Sequence, residues 1–179
     1  MILVTPAPTI IRPMDVHDLD QVLSIEQASS SHPWTLPMFR DELAQGDSRT
    51  YIVAEREGRI VGFGGLMVAP DEGHITNIAV LPTARRAGLA TRLLLHLTRT
   101  AIARSVKAMT LEVRVANGSA QALYVRFGYV PAGVRPKYYA DNNEDALIYW
   151  AHDIDTAGYG LRLAAIAERL ELRPAGDSA

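Results

Sequence analysis

Apolar positions recur along this chain at two periods, and the switching between them predicts a series of strands and helices. Thr9 to Pro13 reads as a short strand, after which Asp15 offers an N-cap for a helix carrying Val16, Leu19, Val22, Leu23 and Glu26. Ser29 to Pro33 breaks that helix. Thr35 can cap a second one, whose Met38, Phe39 and Leu43 share a face before Gly46. A polar elbow containing Trp34 joins the two. Thr50 to Glu55 and Arg59 to Val68 are β-rich runs separated by Glu57-Gly58, a good hairpin turn, and a third run covers His74 to Val80.

Beyond Leu81-Pro82 the period lengthens. Leu89, Leu93, Leu94, Leu97 and Ala101 fall on one stripe of a helix. Ala108 to Val115 is the next strand, and Asn117 is a natural cap for a helix over 118–127 that aligns Ala120, Leu123, Tyr124 and Phe127, with Gly128 beyond its end. Tyr129 to Val134 and Ala146 to His152 read as the last two strands, with the polar Lys137 to Asp145 segment between them. From Asp155 the composition changes, and Leu163, Ile166, Ala167 and Leu170 predict an amphipathic helix before a frayed end. Gly64-Gly65 reads as a bulge or a close-packed strand. The predicted class is α/β, with residues 1–155 as one domain and 156–179 as a tail.

Composition narrows the class little. At 179 residues, 48% hydrophobic and 21% charged, the chain is an ordinary globular protein with room for one sizeable core. A formal net charge of -2 gives no general reason to bind nucleic acid. The absence of cysteine excludes disulfides, thiolate zinc sites and a cysteine nucleophile. The five histidines are scattered with no HExxH-like pair, so no metal is expected. No apolar run approaches the ~18 residues that span a bilayer, and no basic region precedes the short apolar N-terminus. A cytoplasmic protein without a membrane partner is the expectation.

Two segments concentrate the chemistry. In the first, the apolar strand ending Ile78-Ala79-Val80-Leu81-Pro82 enters a helix through Arg85, Arg86, Ala87, Gly88, Leu89 and Ala90. Free N–H groups at a helix start, the positive end of its dipole and two arginines would hold a pyrophosphate, with Gly88 letting it approach. The alternative is a helix start that uses Gly88 for packing and exposes its arginines. Neither GxGxxG nor GxxxxGK[ST] occurs. The second segment is Leu111-Glu112-Val113-Arg114 with Asn117, Ala122-Leu123-Tyr124 and Phe127-Gly128-Tyr129. Glu112 reads as a proton acceptor or a solvated strand carboxylate, and Tyr124 as a proton donor or a core tyrosine. His74 reads as a surface histidine or a secondary base.

Arg-x-x-Gly-x-Ala after Ile-Ala-Val-x-Pro resembles the acetyl-CoA pyrophosphate loop of the GNAT superfamily. Together with the second segment, Arg135-x-x-Tyr138-Tyr139 and Glu144-Asp145-Ala146, it resembles the RimI family over about residues 9–154. That family acetylates the N-terminal alanine of a small-subunit ribosomal protein. The resemblance implies a GNAT fold: a mixed, mainly antiparallel sheet with helices on both faces, and acetyl-CoA in the splay between its two parallel strands. It implies Glu112 as general base and Tyr124 as general acid. It assigns the pantetheine arm to backbone groups of Ile78, Ala79 and Val80, the pyrophosphate to the Arg85–Ala90 amides, and a cofactor hydrogen bond to Asn117. Trp34, Tyr138, Tyr139, Glu144 and Asp145 would flank the peptide, the two acids attracting a basic N-terminal segment. The expected partner is a protein or peptide N-terminus, with no direct nucleic acid contact. A lysine or small-amine acceptor, or an acetyl-CoA-binding module without catalysis, are the alternatives.

Overall fold

The computed structural model describes residues 8–172. Seven strands form one sheet in the order β1-β2-β3-β4-β5-β7-β6: β1 Ile10–Pro13, β2 Arg49–Arg56, β3 Arg59–Ala69, β4 Glu72–Val80, β5 Ala108–Arg114, β6 Val130–Tyr139 and β7 Glu144–Ala151. Five helices cover it: α1 Leu19–Ser29, α2 Leu36–Leu43, α3 Leu89–Ala103, α4 Gly118–Arg126 and α5 Ala157–Glu171.

The β2–β3 turn uses Glu57 and Gly58, both with positive φ, 52° and 73°. That twist matches the flanking strands and fixes the meander β2-β3-β4. All neighbouring strands run antiparallel except β4 and β5, which are parallel over three rungs only: Glu72 to Ala108, Gly73 to Met109 and His74 to Thr110. Past His74, β4 keeps only its β3 partner, so the two strands diverge and open a window in the sheet. A bulge where Gly65 and Leu66 face Ile75 and Asn77 adds twist at the same level.

Each face of the sheet has its own core. One cluster joins Leu93, Leu94 and Leu97 of α3 to Leu111 and Val113 of β5, Leu123 and Tyr124 of α4, Phe127, and Leu163 and Leu170 of α5. The other joins Leu19, Val22 and Ile25 of α1 to Phe39, Tyr51, Val53 and Phe63. This is the expected mixed, mainly antiparallel sheet with helices on both faces.

Several local expectations change. Asp15 caps a 3-10 turn, Val16–Asp18, rather than α1 itself: its carboxylate accepts the His17 N–H at 2.9 Å, and Asp18 accepts the Asp15 N–H at 2.8 Å. Val16 is consequently exposed instead of facing the core. Met38 is also exposed, because the short α2 buries Phe39 alone. Strand β6 runs on to Tyr139, through the segment read as a polar loop. It is an edge strand, where Pro131, Pro136 and an irregularity at Lys137 (φ 51°) interrupt no second ladder.

Candidate active site

The diverging strands place Glu112. The last parallel rung joins His74 to Thr110, and Glu112 lies two residues further along β5 on the same face. Leu111 and Val113 alternate to the opposite face and enter the α3 core. Glu112 therefore faces the α1–α2 side of the sheet, with its side chain only 11% exposed. The His74 Nε2 lies 2.7 Å from its Oε2, and the Nε of Arg135 on β6 forms an ion pair with its Oε1 at 3.0 Å. Both oxygens are thus fixed, one by an imidazole that retains contact with solvent and one by a guanidinium.

Tyr124 comes from the other face. Asn117 starts α4 by accepting the Ala120 N–H at 3.2 Å through Oδ1. This capping sets the helix phase that turns Tyr124 into the α3-side core. Burial, with a smaller contribution from Tyr139, pushes the Tyr124 phenol up to about 12, so it keeps its proton at neutral pH and is available as a proton donor. Tyr139 is pushed up to about 12 as well, by burial against the opposing pull of Arg114, with smaller upward contributions from Tyr138, Glu112 and Glu144. The base candidate lies beside the window on one face of the sheet, and the acid candidate belongs to the core on the other.

The β4–α3 connection fits an acyl-CoA. Gly88, at φ 74°, is the N-cap of α3 and brings no side-chain cap. The first-turn N–H groups, including those of Leu89 and Ala90, are left to an external acceptor. Arg86 also has positive φ, 65°, which curls the loop, and Arg85, Arg86 and Ala87 are exposed. Arg85 is partly committed: its Nε donates to the Val80 carbonyl at 3.2 Å, and its Nη2 to Ser29 Oγ at 3.4 Å. Ile78, Ala79 and Val80 border the window, and their backbone has no strand partner on that side. At Asn117, whose Oδ1 serves the cap, the amide nitrogen is the atom left for a cofactor.

The expected acceptor residues are brought together only in part. Tyr138 and Tyr139 end β6 with their rings 5.2 Å apart, beside Arg135 and Arg114. Trp34 packs on Phe39 at 5.3 Å, in the α1–α2 core, and its backbone N–H donates to the buried Glu26 at 3.1 Å. Glu144 and Asp145 spend their charge within the protein: Glu144 accepts from Arg114 at 3.0 Å and from the Ala116 N–H at 2.8 Å, and Asp145 from the Lys137 N–H at 2.7 Å. The partners of Glu112 and of this hairpin, Arg135 and Arg114, had no assigned role from sequence. Arg114 carried one signal, its two-residue spacing from Glu112, which puts both on one face. Among the described residues no cluster of side chains could hold a metal, and no helix is long and apolar enough to cross a membrane.

A parallel pair that splits after three rungs, followed by a helix started by an uncapped glycine, is the frame of an acetyl-CoA-dependent N-acetyltransferase. Residues 19–129 match the family model described as the acetyltransferase (GNAT) family. The chain is 39% identical over 140 residues to a Bacillus subtilis protein named putative [ribosomal protein bS18]-alanine N-acetyltransferase, covering 78% of this chain and 93% of that protein. It is 35% identical to the Escherichia coli K12 [ribosomal protein bS18]-alanine N-acetyltransferase, over 77% of this chain and 93% of its relative. The crystal structure of the E. coli ribosomal-protein-S18-alanine N-acetyltransferase superposes with a TM-score of 0.75 at 33% identity, over 82% of this chain and 94% of that one. The chain belongs to the GNAT acetyltransferase family, within its RimI branch.

Proposed function

We propose that the protein transfers the acetyl group of acetyl-CoA to the α-amine of a protein N-terminus, and that its acceptor is the N-terminal alanine of ribosomal protein bS18, for which its relatives are named. The observation that carries this reading is a parallel strand pair that splits just before Glu112, with the uncapped start of α3 beside the split; Tyr124, in the core on the other face of the sheet, supports it. An amine arriving from the α1–α2 side meets Glu112, while a thioester lying along α3 has its sulfur toward Tyr124.

The thioester supplies an activated acetyl group. The chain supplies the proton handling. Glu112 accepts the proton of the attacking amine, directly or through water, held in one orientation by Arg135. His74 offers that proton a way on to solvent. Tyr124, still protonated, gives its proton to the departing thiolate, which leaves as the thiol, and the phenolate regains a proton from solvent. Backbone groups of Ile78, Ala79 and Val80 hold the pantetheine arm, the Arg85–Ala90 loop takes the pyrophosphate, and Asn117 adds a hydrogen bond. Tyr138, Tyr139 and the elbow near Trp34 flank the acceptor. An α-amine suits a single carboxylate: with a pKa of about 7.8 it is roughly 10 to 20% neutral at pH 7, against about 0.04% for a lysine at 10.4.

The test is mass spectrometry of an alanine-starting basic peptide incubated with acetyl-CoA, beside an N-terminally blocked, lysine-containing twin. Acetylation of the free N-terminus alone is expected, with Glu112→Gln lowering kcat by about 10²- to 10⁴-fold while acetyl-CoA still binds. Modification of the blocked twin would move the activity to lysine.

A further inference from the structure

We propose that Ser31, Asp141 and Arg114 form a bridge between the two walls of the acceptor groove, and that this bridge sets how tightly the acceptor peptide is held. The inference rests on the N-terminal acetyltransferase reading above. One wall is the elbow between α1 and α2, which carries Ser31. The other is the β6–β7 hairpin, whose tip carries Asp141. These residues lie 110 positions apart in sequence, yet the Ser31 hydroxyl donates to Asp141 Oδ2.

Arg114 ties both walls to the strand that carries Glu112. Its Nη2 donates to both Asp141 oxygens at 3.1 Å and to Ser31 Oγ at 3.2 Å. Its Nη1 donates to Glu144 Oε2 at 3.0 Å, and the guanidinium lies 3.8 Å from the centre of the Tyr139 ring. The Arg114, Asp141 and Glu144 side chains are 23%, 13% and 15% exposed, while Ser31 at the elbow end is open to water. A planar fork with five donors can meet two carboxylates, a hydroxyl and a ring face together; an ammonium cannot.

The geometry separates two duties. Glu144, anchored also by the Ala116 N–H, fastens the hairpin to β5 and to the start of α4. Asp141 alone among the hairpin acids reaches the elbow. Ser31→Ala therefore frees the elbow from the hairpin, Asp141→Ala leaves it only the bond from Arg114, and neither touches Glu112, Tyr124 or the β4–α3 loop. These are positioning residues, acting on the acceptor through the width of the groove.

The experiment is steady-state kinetics of Asp141→Ala, Ser31→Ala, the double variant and Arg114→Lys, with hydrogen exchange of the elbow and hairpin amides. The peptide KM is expected to rise about tenfold, the scale of one charged hydrogen bond, with kcat within about twofold and the acetyl-CoA KM unchanged. The double variant should cost less than the sum of the two single variants, because both remove the Ser31–Asp141 bond, and Arg114→Lys should not keep the wild-type KM. Amides of residues 30–35 and 137–144 should exchange faster together in Asp141→Ala. An unchanged peptide KM, additive effects in the double variant, or faster exchange in the hairpin alone would overturn the bridge. If the wild-type protein binds acetyl-CoA but leaves the peptide unmodified, the acceptor reading fails, and the exchange data still decide whether the walls are joined.

Discussion

Glu26 is a carboxylate placed where a carboxylate is costly. It is buried under the elbow, and burial raises its pKa from the ordinary value even though the Trp34 backbone N–H donates to it. A raised folded-state pKa means the folded chain holds the proton more tightly than the unfolded chain. The contribution to stability is therefore fully present below the unfolded value of ~4.3 and is lost as pH rises through the folded value. Glu26→Gln keeps the acceptor for Trp34 and removes the charge. It should melt above the wild type at pH 8, with the difference disappearing near pH 4; thermal melts at the two pH values check this, and a lower melting point at pH 8 would show that the charge itself holds the elbow. Asp18 has the opposite sign. Hydrogen bonds from Arg12 at 2.8 Å hold its carboxyl below the usual range, so its contribution is present at neutral pH and lost in acid.

At the scale of elements, the start of α3 is where the proposed cofactor site can be tested. Gly88 sits in left-handed backbone, φ 74°, at the point where a side-chain cap would compete with an anion for the free N–H groups. Alanine there meets the Cβ penalty of that region, about 1–2 kcal/mol, and narrows the approach to the amides. Gly88→Ala is expected to raise the acetyl-CoA KM several-fold, leave the peptide KM within about twofold, and lower the melting point by a few degrees. An acetyl-CoA titration by calorimetry separates the two effects, and unchanged affinity would remove the loop from the cofactor site. A second glycine works inside the sheet. A Cβ on Gly65 would collide with Thr76, with Tyr51 and, at 2.7 Å, with Asn77 Oδ1, all at the bulge facing the window's lower end. The β3–β4 pairing closes there only because that side chain is absent.

At the scale of the whole molecule, α5 is built into the core that α3 and α4 share. Leu163 and Leu170 are 4% and 8% exposed within that cluster, and the Tyr159 hydroxyl donates to the Phe127 carbonyl at 2.7 Å, just where α4 ends. Arg92 of α3 donates to the Leu170 carbonyl at 3.2 Å, which closes the contact from the other side. Removing residues 156–179 is therefore expected to uncover the α3–α4 core and destabilise the protein rather than trim an accessory. Leu163→Ala should cost about 2–5 kcal/mol, read from urea unfolding. Undiminished stability of the truncated chain would make the tail separable. The predicted frayed end, in the last residues of the chain, lies outside the described residues.

The order of strands and helices was legible because each is a local pattern. Period-two runs marked six of the strands closely, the α3 stripe Leu89, Leu93, Leu94, Leu97 and Ala101 is entirely buried, and Asn117 and Gly128 bound α4 as read. The placement of Glu112 and Tyr124 as reacting partners came from family resemblance, since neither spacing nor composition distinguishes a base from a surface carboxylate. What sequence left open depends on contacts between distant segments. The extension of β6 through Pro136 follows from its edge position. The fixing of Glu112 by His74 and Arg135 follows from a parallel pair that parts after His74. Glu144 is held by Arg114 because a hairpin folds back over β5. A pattern along the chain records which face a residue takes, and only the folded sheet decides which residues, 38 or 110 positions apart, share that face.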